Sequence, residues 1–249
     1  MPFTFSHPAA VLPLLDGARA RGPLVAAGLM AGSMAPDVPF FADSLLRGCY
    51  GFGGVTHRWW AVPTVDVLIA GGLTWWWYGL VRPAARPVQA ERCGWFAASA
   101  AIGAATHVCW DSFTHQGRAG VRALPVLNTE VAGIPLYTLL QYGSSAAGLA
   151  LLARHRMRAP GLTRTALTGL ALATAAGAVH RLARRERGLI AELCFGAGAG
   201  LAAGLTVHAL GGRLAGFRTR HHPSTPRSCA GRAPRSGPSA PARTGRRSR

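Results

Sequence analysis

The sequence contains no lysine, and all 27 of its basic residues are arginine. Acidic residues are also scarce, with nine Asp and Glu together. Only 14% of the chain is charged, against about a quarter in an ordinary globular protein. Because 49% of the residues are apolar as well, the composition argues against a soluble globular protein and favours a membrane protein.

Two further absences narrow the class of protein. None of the five cysteines forms a C-x-x-C pair, which argues against a disulfide framework and against a cysteine-type zinc site. The N-terminus, MPFTFSHPAAVLPLL, has no positive charge before its apolar part, so it does not have the pattern of a cleavable signal peptide. Membrane insertion would therefore depend on the later apolar segments.

Five apolar segments predict an all-α fold, a polytopic membrane helical bundle of about four to six spans. They are 59–81, 94–110, 133–153, 166–179 and 188–210. The first has tryptophan clusters at both ends, which is typical of a span anchored at the two membrane interfaces. Residues 22–41 are predicted as a buried helix ending near Met34, because Pro36 and Pro39 interrupt it. A sixth span there is the alternative.

The chain divides into a membrane-embedded domain, 1–211, and a disordered basic tail, 212–249. Residues 213–249 hold ten arginines and no acidic residue, and they have almost no large apolar side chain that could build a core. We expect the tail to contact anionic lipid headgroups and to bind no nucleic acid specifically. The positive-inside rule puts the tail in the cytoplasm.

Residues 105–117, ATHVCWDSFTHQG, carry the most informative polar pattern in the chain. His107, Asp111 and His115 follow one another at four-residue steps. On an α-helix such steps return to nearly the same face, so the three side chains would form one stripe. Imidazole and carboxylate groups at this spacing are well placed to bind a single metal ion.

The predicted spans place further ligand candidates on the same membrane face as this stripe. If 59–81 and 94–110 both cross the membrane, Asp37 and His57 lie on the side of His107 and Asp111. His7 joins them if residues 22–41 do not cross. The arginine distribution places this face outside the cytoplasm.

Six residues are therefore predicted metal ligands: His7, Asp37, His57, His107, Asp111 and His115. Imidazole nitrogen and carboxylate oxygen suit a divalent metal, with zinc favoured, and six ligands are enough for one or two ions. Simpler explanations exist for each residue alone. Asp37 could cap a helix, and His107 with Asp111 could be a hydrogen-bonded pair between helices.

Four motifs, MPFTFSHPAAVLPL, AGSMAPD, WDSFTH and PLYTLLQYGSS, strongly resemble an uncharacterised family of bacterial multi-pass membrane proteins. The likeness extends over most of residues 1–210. The chain also distantly resembles inner-membrane metal-dependent hydrolases and the zinc-dependent phospholipase C and nuclease group. The likeness to the phospholipase C and nuclease group implies that zinc is bound by five residues: His7, Asp37, His57, His107 and Asp111. The later H-x3-E pair of that group is missing, which argues against its third metal.

The predicted function is that of a membrane-bound, metal-dependent hydrolase of phosphoester or lipid-like substrates. Arg58 would hold a phosphate oxygen, and Glu130 would act as a base or support a ligand. One alternative is a non-enzymatic membrane protein whose His/Asp cluster is structural. Another is a small transporter in which Asp66 and the stripe line a path, although no inverted repeat supports it.

Overall fold

Helices make up nearly all of the regular structure in a computed structural model, which describes residues 3–83, 92–155, 162–184, 186 and 188–220. Within those ranges the α-helices are α1 (Ala26–Gly32), α2 (Val38–Ala42), α3 (Gly53–Thr56), α4 (Val65–Trp75), α5 (Cys93–Thr114), α6 (Ala119–Ala123), α7 (Leu136–Arg154), α8 (Arg164–Arg184) and α9 (Leu189–Arg220). Two antiparallel hairpins pair β1 (Leu15–Asp16) with β2 (Arg19–Ala20), and β3 (Glu130–Val131) with β4 (Ile134–Pro135). The predicted all-α class is confirmed.

Proline divides the N-terminal part into short helices. The chain opens with a 3-10 helix, Thr4–Leu14, which contains two prolines. Helix α1 ends at Gly32, in agreement with the predicted buried helix ending near Met34. Pro36 is the second residue of a 3-10 turn, Ala35–Asp37, and Pro39 lies in the first turn of α2, positions where the missing N–H is tolerated. The prolines consequently separate α1 and α2 into two short helices joined by this turn.

The predicted segments 59–81 and 94–110 differ from the helices observed there. Residues 59–64 form turns, and α4 begins only at Val65, directly after Pro63 and Thr64. A wider π-helical turn, Trp76–Val81, follows α4. Helix α5 continues to Thr114, so part of the predicted 111–131 loop is helical.

Among the described residues, two helical stretches are long and apolar enough to cross a membrane: Arg164–Arg184 and Leu189–Leu214. They coincide with the two predicted C-terminal segments. The three earlier segments form helices that fall short of the same requirements in length or hydropathy. Two spans are thus supported out of the four to six predicted. Helix α9 runs on to Arg220, and residues 221–249 of the predicted tail lie outside the described part.

Helices α1 and α5 cross with their backbones in contact because each has a glycine at the crossing. A β-carbon at Gly32 would lie 2.1 Å from the carbonyl oxygen of Ala100, and one at Gly103 would lie 2.3 Å from that of Leu29. Neither position has room for a larger residue. This crossing brings the end of α1 against the middle of α5, where the candidate ligands lie.

The α8–α9 hairpin is held by the same kind of contact. A β-carbon at Gly177 would lie 2.3 Å from the carbonyl oxygen of Gly196, and one at Gly200 would lie 2.2 Å from that of Ala173. Small residues that allow two backbones to approach are typical of helix pairs in membranes, where there is no hydrophobic force between helices.

We expect Gly177→Ala to force α8 and α9 apart and to destabilise the protein by about 1–3 kcal/mol, the usual cost of overpacking. Gly169→Ala on the same helix is the matched control, because a β-carbon there meets nothing within 4 Å. It should be neutral or stabilise by up to about 1 kcal/mol, since alanine favours helix formation. Thermal unfolding of both variants in detergent tests this, and equal midpoints would contradict the close contact.

A buried group of charges joins the hairpin to the N-terminal part. The charged joint, as we call it, consists of Asp43, Arg181, Arg184 and Glu192. Arg181 is 1% exposed and bonds to Glu192 and, at 2.9 Å, to Asp43. Arg184 reaches the same Asp43 oxygen at 3.2 Å. The joint lies where α8 ends and α9 begins, so it fixes that end of the hairpin beside α2.

Candidate metal centre

Three separate elements deliver four buried polar side chains to one point. Asp37 ends the 3-10 turn after α1, and His57 follows the last residue of α3. His107 and Asp111 lie one turn apart on α5, as their spacing predicted. All four are at most 5% exposed. The Gly32–Gly103 crossing places the first element against the last.

Each of the four side chains offers one atom to a common space. These atoms are Asp37 Oδ1, His57 Nε2, His107 Nε2 and Asp111 Oδ2, and the group is one whose ligand atoms all lie within 4.8 Å of one another. None of the four has a hydrogen-bond partner among the described residues, although all are buried. Unsatisfied buried polar atoms are rare in native proteins and costly. Four of them facing each other indicate a cation site.

The backbone fixes both imidazoles in the form that a metal needs. His57 Nδ1 lies 2.8 Å from the carbonyl oxygen of Gly53, and His107 Nδ1 lies 2.7 Å from that of Ser33. A carbonyl oxygen only accepts hydrogen bonds, so each Nδ1 must carry the proton. Each Nε2 can therefore present its lone pair to the shared space, which is the usual arrangement of metal-binding histidines.

The distances between these atoms fit a tetrahedral ion better than direct hydrogen bonds. The nitrogen–oxygen separations are 3.5 Å and 3.3 Å from His57, and 3.5 Å and 3.4 Å from His107, to Asp37 and Asp111 respectively. A charge-assisted hydrogen bond would be about 2.7–2.9 Å. Ligands about 2.0–2.1 Å from a tetrahedral zinc ion are themselves roughly 3.3–3.4 Å apart. The residues therefore fit zinc, although the chemistry of the donors does not exclude other divalent metals.

The electrostatics favour ionised carboxylates. Burial acts to raise the pKa of Asp37 and of Asp111, but the positive charge of protonated His107 outweighs burial and holds both pKa values below the usual range. Burial acts to lower the pKa of His57, and the two carboxylates outweigh it and raise that pKa. The two negative charges of the carboxylates would balance the charge of a bound divalent ion, and the two neutral imidazoles would add no charge.

A second group of polar atoms lies on the other side of Asp111. Its Oδ1 is 3.6 Å from His7 Nε2 and 3.5 Å from His115 Nδ1. A cavity of about 10 Å³, about the space of one water molecule, adjoins these residues and is also lined by Trp110 and Gln141. The His7 ring stacks on that of His107, with centroids 3.7 Å apart. Burial holds the pKa of His7 at about 3, so this imidazole is neutral at ordinary pH.

The predicted ligand set thus divides into two parts. Asp37, His57, His107 and Asp111 form the four-atom cluster. His7 and His115 lie beside Oδ1 of Asp111, which is not the Asp111 oxygen that faces the cluster. His115 follows the end of α5, and its Nε2 lies 2.8 Å from Gln141 Nε2 of α7, so the regular stripe does not extend to it.

Three other residues singled out in the sequence are not among the four ligands. Arg58 is exposed although it follows His57, and Glu130 is exposed in β3. Neither lines the small cavity. Asp66, in the first turn of α4, is completely buried, and its two oxygens make no hydrogen bond to the described residues. Burial raises the pKa of Asp66 to about 6 against the charges of His57 and His107, so Asp66 lies within electrostatic range of two of the ligands.

Sequence reasoning missed the two backbone carbonyls that orient the histidines. Gly53 and Ser33 carry no side-chain signal for this function. Ser33 directly follows α1, and a carbonyl at a helix C-terminus has no partner within its own helix. The free carbonyl at the end of a helix was the only signal available for Ser33. It did not indicate which histidine would donate a hydrogen bond to that carbonyl.

The fold and the site define a helical protein with a buried His/Asp centre that could hold a metal ion. Residues 1–208 match DUF4184, a domain of unknown function, and the chain belongs to this family. The membership agrees with the predicted resemblance to an uncharacterised family. No curated protein and no solved structure matches the chain.

Proposed function

We propose that this protein is a membrane-anchored, metal-dependent hydrolase of phosphoester substrates, with zinc favoured as the metal. One observation carries the proposal: four buried ligand atoms, two imidazole nitrogens and two carboxylate oxygens, face one another without hydrogen-bond partners. This donor set suits a divalent ion. The distant likeness to metal-dependent hydrolases and the zinc-dependent phospholipase C group supports the choice of reaction.

A divalent ion at such a centre would polarise a phosphoester oxygen and make water a better nucleophile. The protein's own residues would hold the reacting groups beside it. Asp111 faces the cluster with Oδ2 and the small cavity with Oδ1, so it could serve two ions at once. Neutral His7 and His115 adjoin that second oxygen and would bind the second ion or orient one water molecule.

The anchor in this proposal is the α8–α9 hairpin. Its outer faces expose large apolar side chains, such as Leu172 at 66% and Val207 at 70%. Exposed apolar surface of this extent is typical of a membrane contact. In this proposal the helices cross the inner membrane of a bacterium, with the tail contacting anionic lipid on the cytoplasmic side.

The metal centre would then lie near one membrane boundary. Phe40 connects the two regions, because its ring lies 5.7 Å from His57 and 5.2 Å from Phe195 of α9. Phe195 follows closely after the α8–α9 connection. A site at that level could take a substrate whose polar part stays in the headgroup region, which supports a lipid-like phosphoester.

A second candidate function is a structural or binding role for the same metal. The observation that favours it is that the chain brings four ligand atoms together, as many as a tetrahedral ion takes. Structural zinc sites are closed in this way, whereas catalytic sites keep a position open. Among the described residues the cavity beside Asp111 offers such a position, so the hydrolase proposal depends on it.

Metal content and hydrolysis test the two candidates in sequence. The protein purified in detergent should carry about one or two zinc, manganese or iron ions per chain by mass spectrometry. The pair His107→Ala and Asp111→Ala should remove them. Equal metal in both proteins would contradict the metal centre itself.

Hydrolysis of phosphodiester and phospholipid substrates then decides between enzyme and binding protein. The loaded wild type should be active, and His7→Ala should lose activity while it keeps the ion held by the four-atom cluster. Loaded protein without activity on either substrate class would favour the structural role.

A further inference from the structure

The two oxygens of Asp37 have different surroundings. Oδ1 faces His57 and His107 at 3.5 Å each and has no hydrogen-bond partner. Oδ2 accepts a hydrogen bond from the hydroxyl of Thr4. Both residues are buried, with Thr4 3% and Asp37 0% exposed. The hydroxyl is therefore a specific partner of one oxygen and not of the other.

We propose that Thr4 is a positioning residue of the metal centre, whose hydroxyl holds Asp37 so that only Oδ1 faces the ion. The inference rests on the proposed metal centre and deepens it. A carboxylate can bind a metal through one oxygen or through two. With Oδ2 bound to Thr4, Asp37 acts as a one-oxygen ligand, which tetrahedral coordination by four residues requires.

The 3-10 helix explains why Thr4 reaches this place. Such a helix has three residues per turn, so side chains three apart in sequence eclipse each other. Thr4 and His7 are three apart on the helix Thr4–Leu14. Both consequently face the centre, Thr4 towards Asp37 and His7 towards Asp111 and His107. One turn of the N-terminal helix supports both carboxylates of the cluster.

Loss of the hydroxyl would affect the ion and not only the fold. Without it, Oδ2 has no other hydrogen-bond partner among the described residues, and Asp37 is free to rotate or to present both oxygens. Hydrogen-bond partners of metal ligands typically contribute about 10- to 100-fold to metal affinity. A threonine that merely filled space would contribute nothing to this affinity.

Thr4→Val is the sharpest test, because valine keeps the shape of threonine and removes only the hydroxyl. Thr4→Ser is the matched control, because it keeps the hydroxyl and loses only a methyl group. The zinc dissociation constant of each folded protein is measured by competition with a chelator. We expect Thr4→Val to bind zinc about 10- to 100-fold more weakly, and Thr4→Ser to stay within about threefold of the wild type.

The visible spectrum of bound cobalt is a second measurement. If Thr4 only supported the fold, Thr4→Val would leave this spectrum unchanged. The visible absorption of bound cobalt depends on the number and arrangement of its ligands, so Thr4→Val should alter the spectrum and Thr4→Ser should not. If Thr4→Val does not fold, Thr4→Ala removes the hydroxyl without adding bulk and allows the same comparison.

The outcomes distinguish the role of Thr4 from the existence of the metal centre. Zinc binding by Thr4→Val as tight as that of the wild type, with an unchanged cobalt spectrum, would overturn the role of Thr4 and leave the metal centre intact. A wild type that binds no zinc would overturn both. Weak binding by both Thr4→Val and Thr4→Ser would show that packing, not the hydroxyl, is what matters, and would also overturn the inference.

Discussion

Saturating zinc is expected to raise the midpoint of thermal unfolding of the purified protein by roughly 10 °C. The four ligand atoms come together only in the folded chain, so metal binding stabilises the folded state alone. Zinc at about a thousand times its dissociation constant adds about 4 kcal/mol. For a domain of this size, each kcal/mol raises the midpoint by about 2–4 °C. A chelator should reverse the whole shift.

Two histidine variants make this result specific. His57→Ala removes one ligand atom of the cluster and should remove most of the zinc-induced shift. His208→Ala removes an exposed histidine of α9 and should leave the shift unchanged. The quantity compared is the difference with and without zinc, because His57→Ala also changes the metal-free protein. Equal shifts in the two variants would mean that zinc binds elsewhere.

Arg181→Met is expected to destabilise the protein by about 3–5 kcal/mol, the largest effect we predict for a single substitution outside the metal centre. Arg181 is buried between the carboxylates of Asp43 and Glu192. Its removal leaves the Glu192 carboxylate without its arginine partner, and one buried unpaired charge accounts for a loss of this size. Thermal or denaturant unfolding measures it, with exposed Arg122→Met as the control expected to change little.

A double variant tests the reason for that loss. In Arg181→Met with Glu192→Leu, no charge is left unpaired, because Asp43 still bonds to Arg184. The double variant should therefore be more stable than Arg181→Met alone, although it carries one more substitution. If it is less stable, the arginine stabilises the hairpin in some way other than by charge pairing.

Acid should weaken the charged joint. Burial acts to raise the pKa of Asp43, but the N–H groups of Tyr50 and Gly48 and the two arginines outweigh it and lower that pKa. A lowered carboxyl pKa stabilises the fold above its unfolded value, near 4, and the contribution is lost as the pH falls through the folded value. Unfolding followed below pH 4 should show a smaller pH effect in Asp43→Asn than in the wild type.

Periodicity predicted the helices well where nothing interrupts them. The two C-terminal apolar segments became α8 and α9, because their small residues allow long, regular packing. The segment 59–81 looked like one span, yet its helix begins at Val65. Hydropathy averages over such a window and does not register Pro63 near its start. The boundary was set by backbone chemistry, which the averaged pattern does not contain.

The side chains of the candidate site could be predicted from the sequence, but the groups that hydrogen-bond to them could not. His107 and Asp111 are one helical turn apart, so their common face followed from the sequence alone. Asp37 and His57 were predicted to lie on the same membrane face as these two residues. The structure brings all four side chains together. The carbonyls of Ser33 and Gly53 were not predictable, since every residue has a carbonyl. Thr4 was missed because the pattern of a 3-10 helix differs from that of an α-helix.

The order of the ligands along the chain has a consequence for biosynthesis. Asp37 and His57 lie in the first quarter of the sequence, whereas His107 and Asp111 follow much later on α5. A ribosome-bound chain that ends before residue 111 has no complete centre, whatever its other helices have done. Binding of a metal at the proposed centre would therefore wait until α5 has emerged and packed against α1. The α8–α9 hairpin is synthesised afterwards, so the centre could already be complete when the proposed membrane anchor is made.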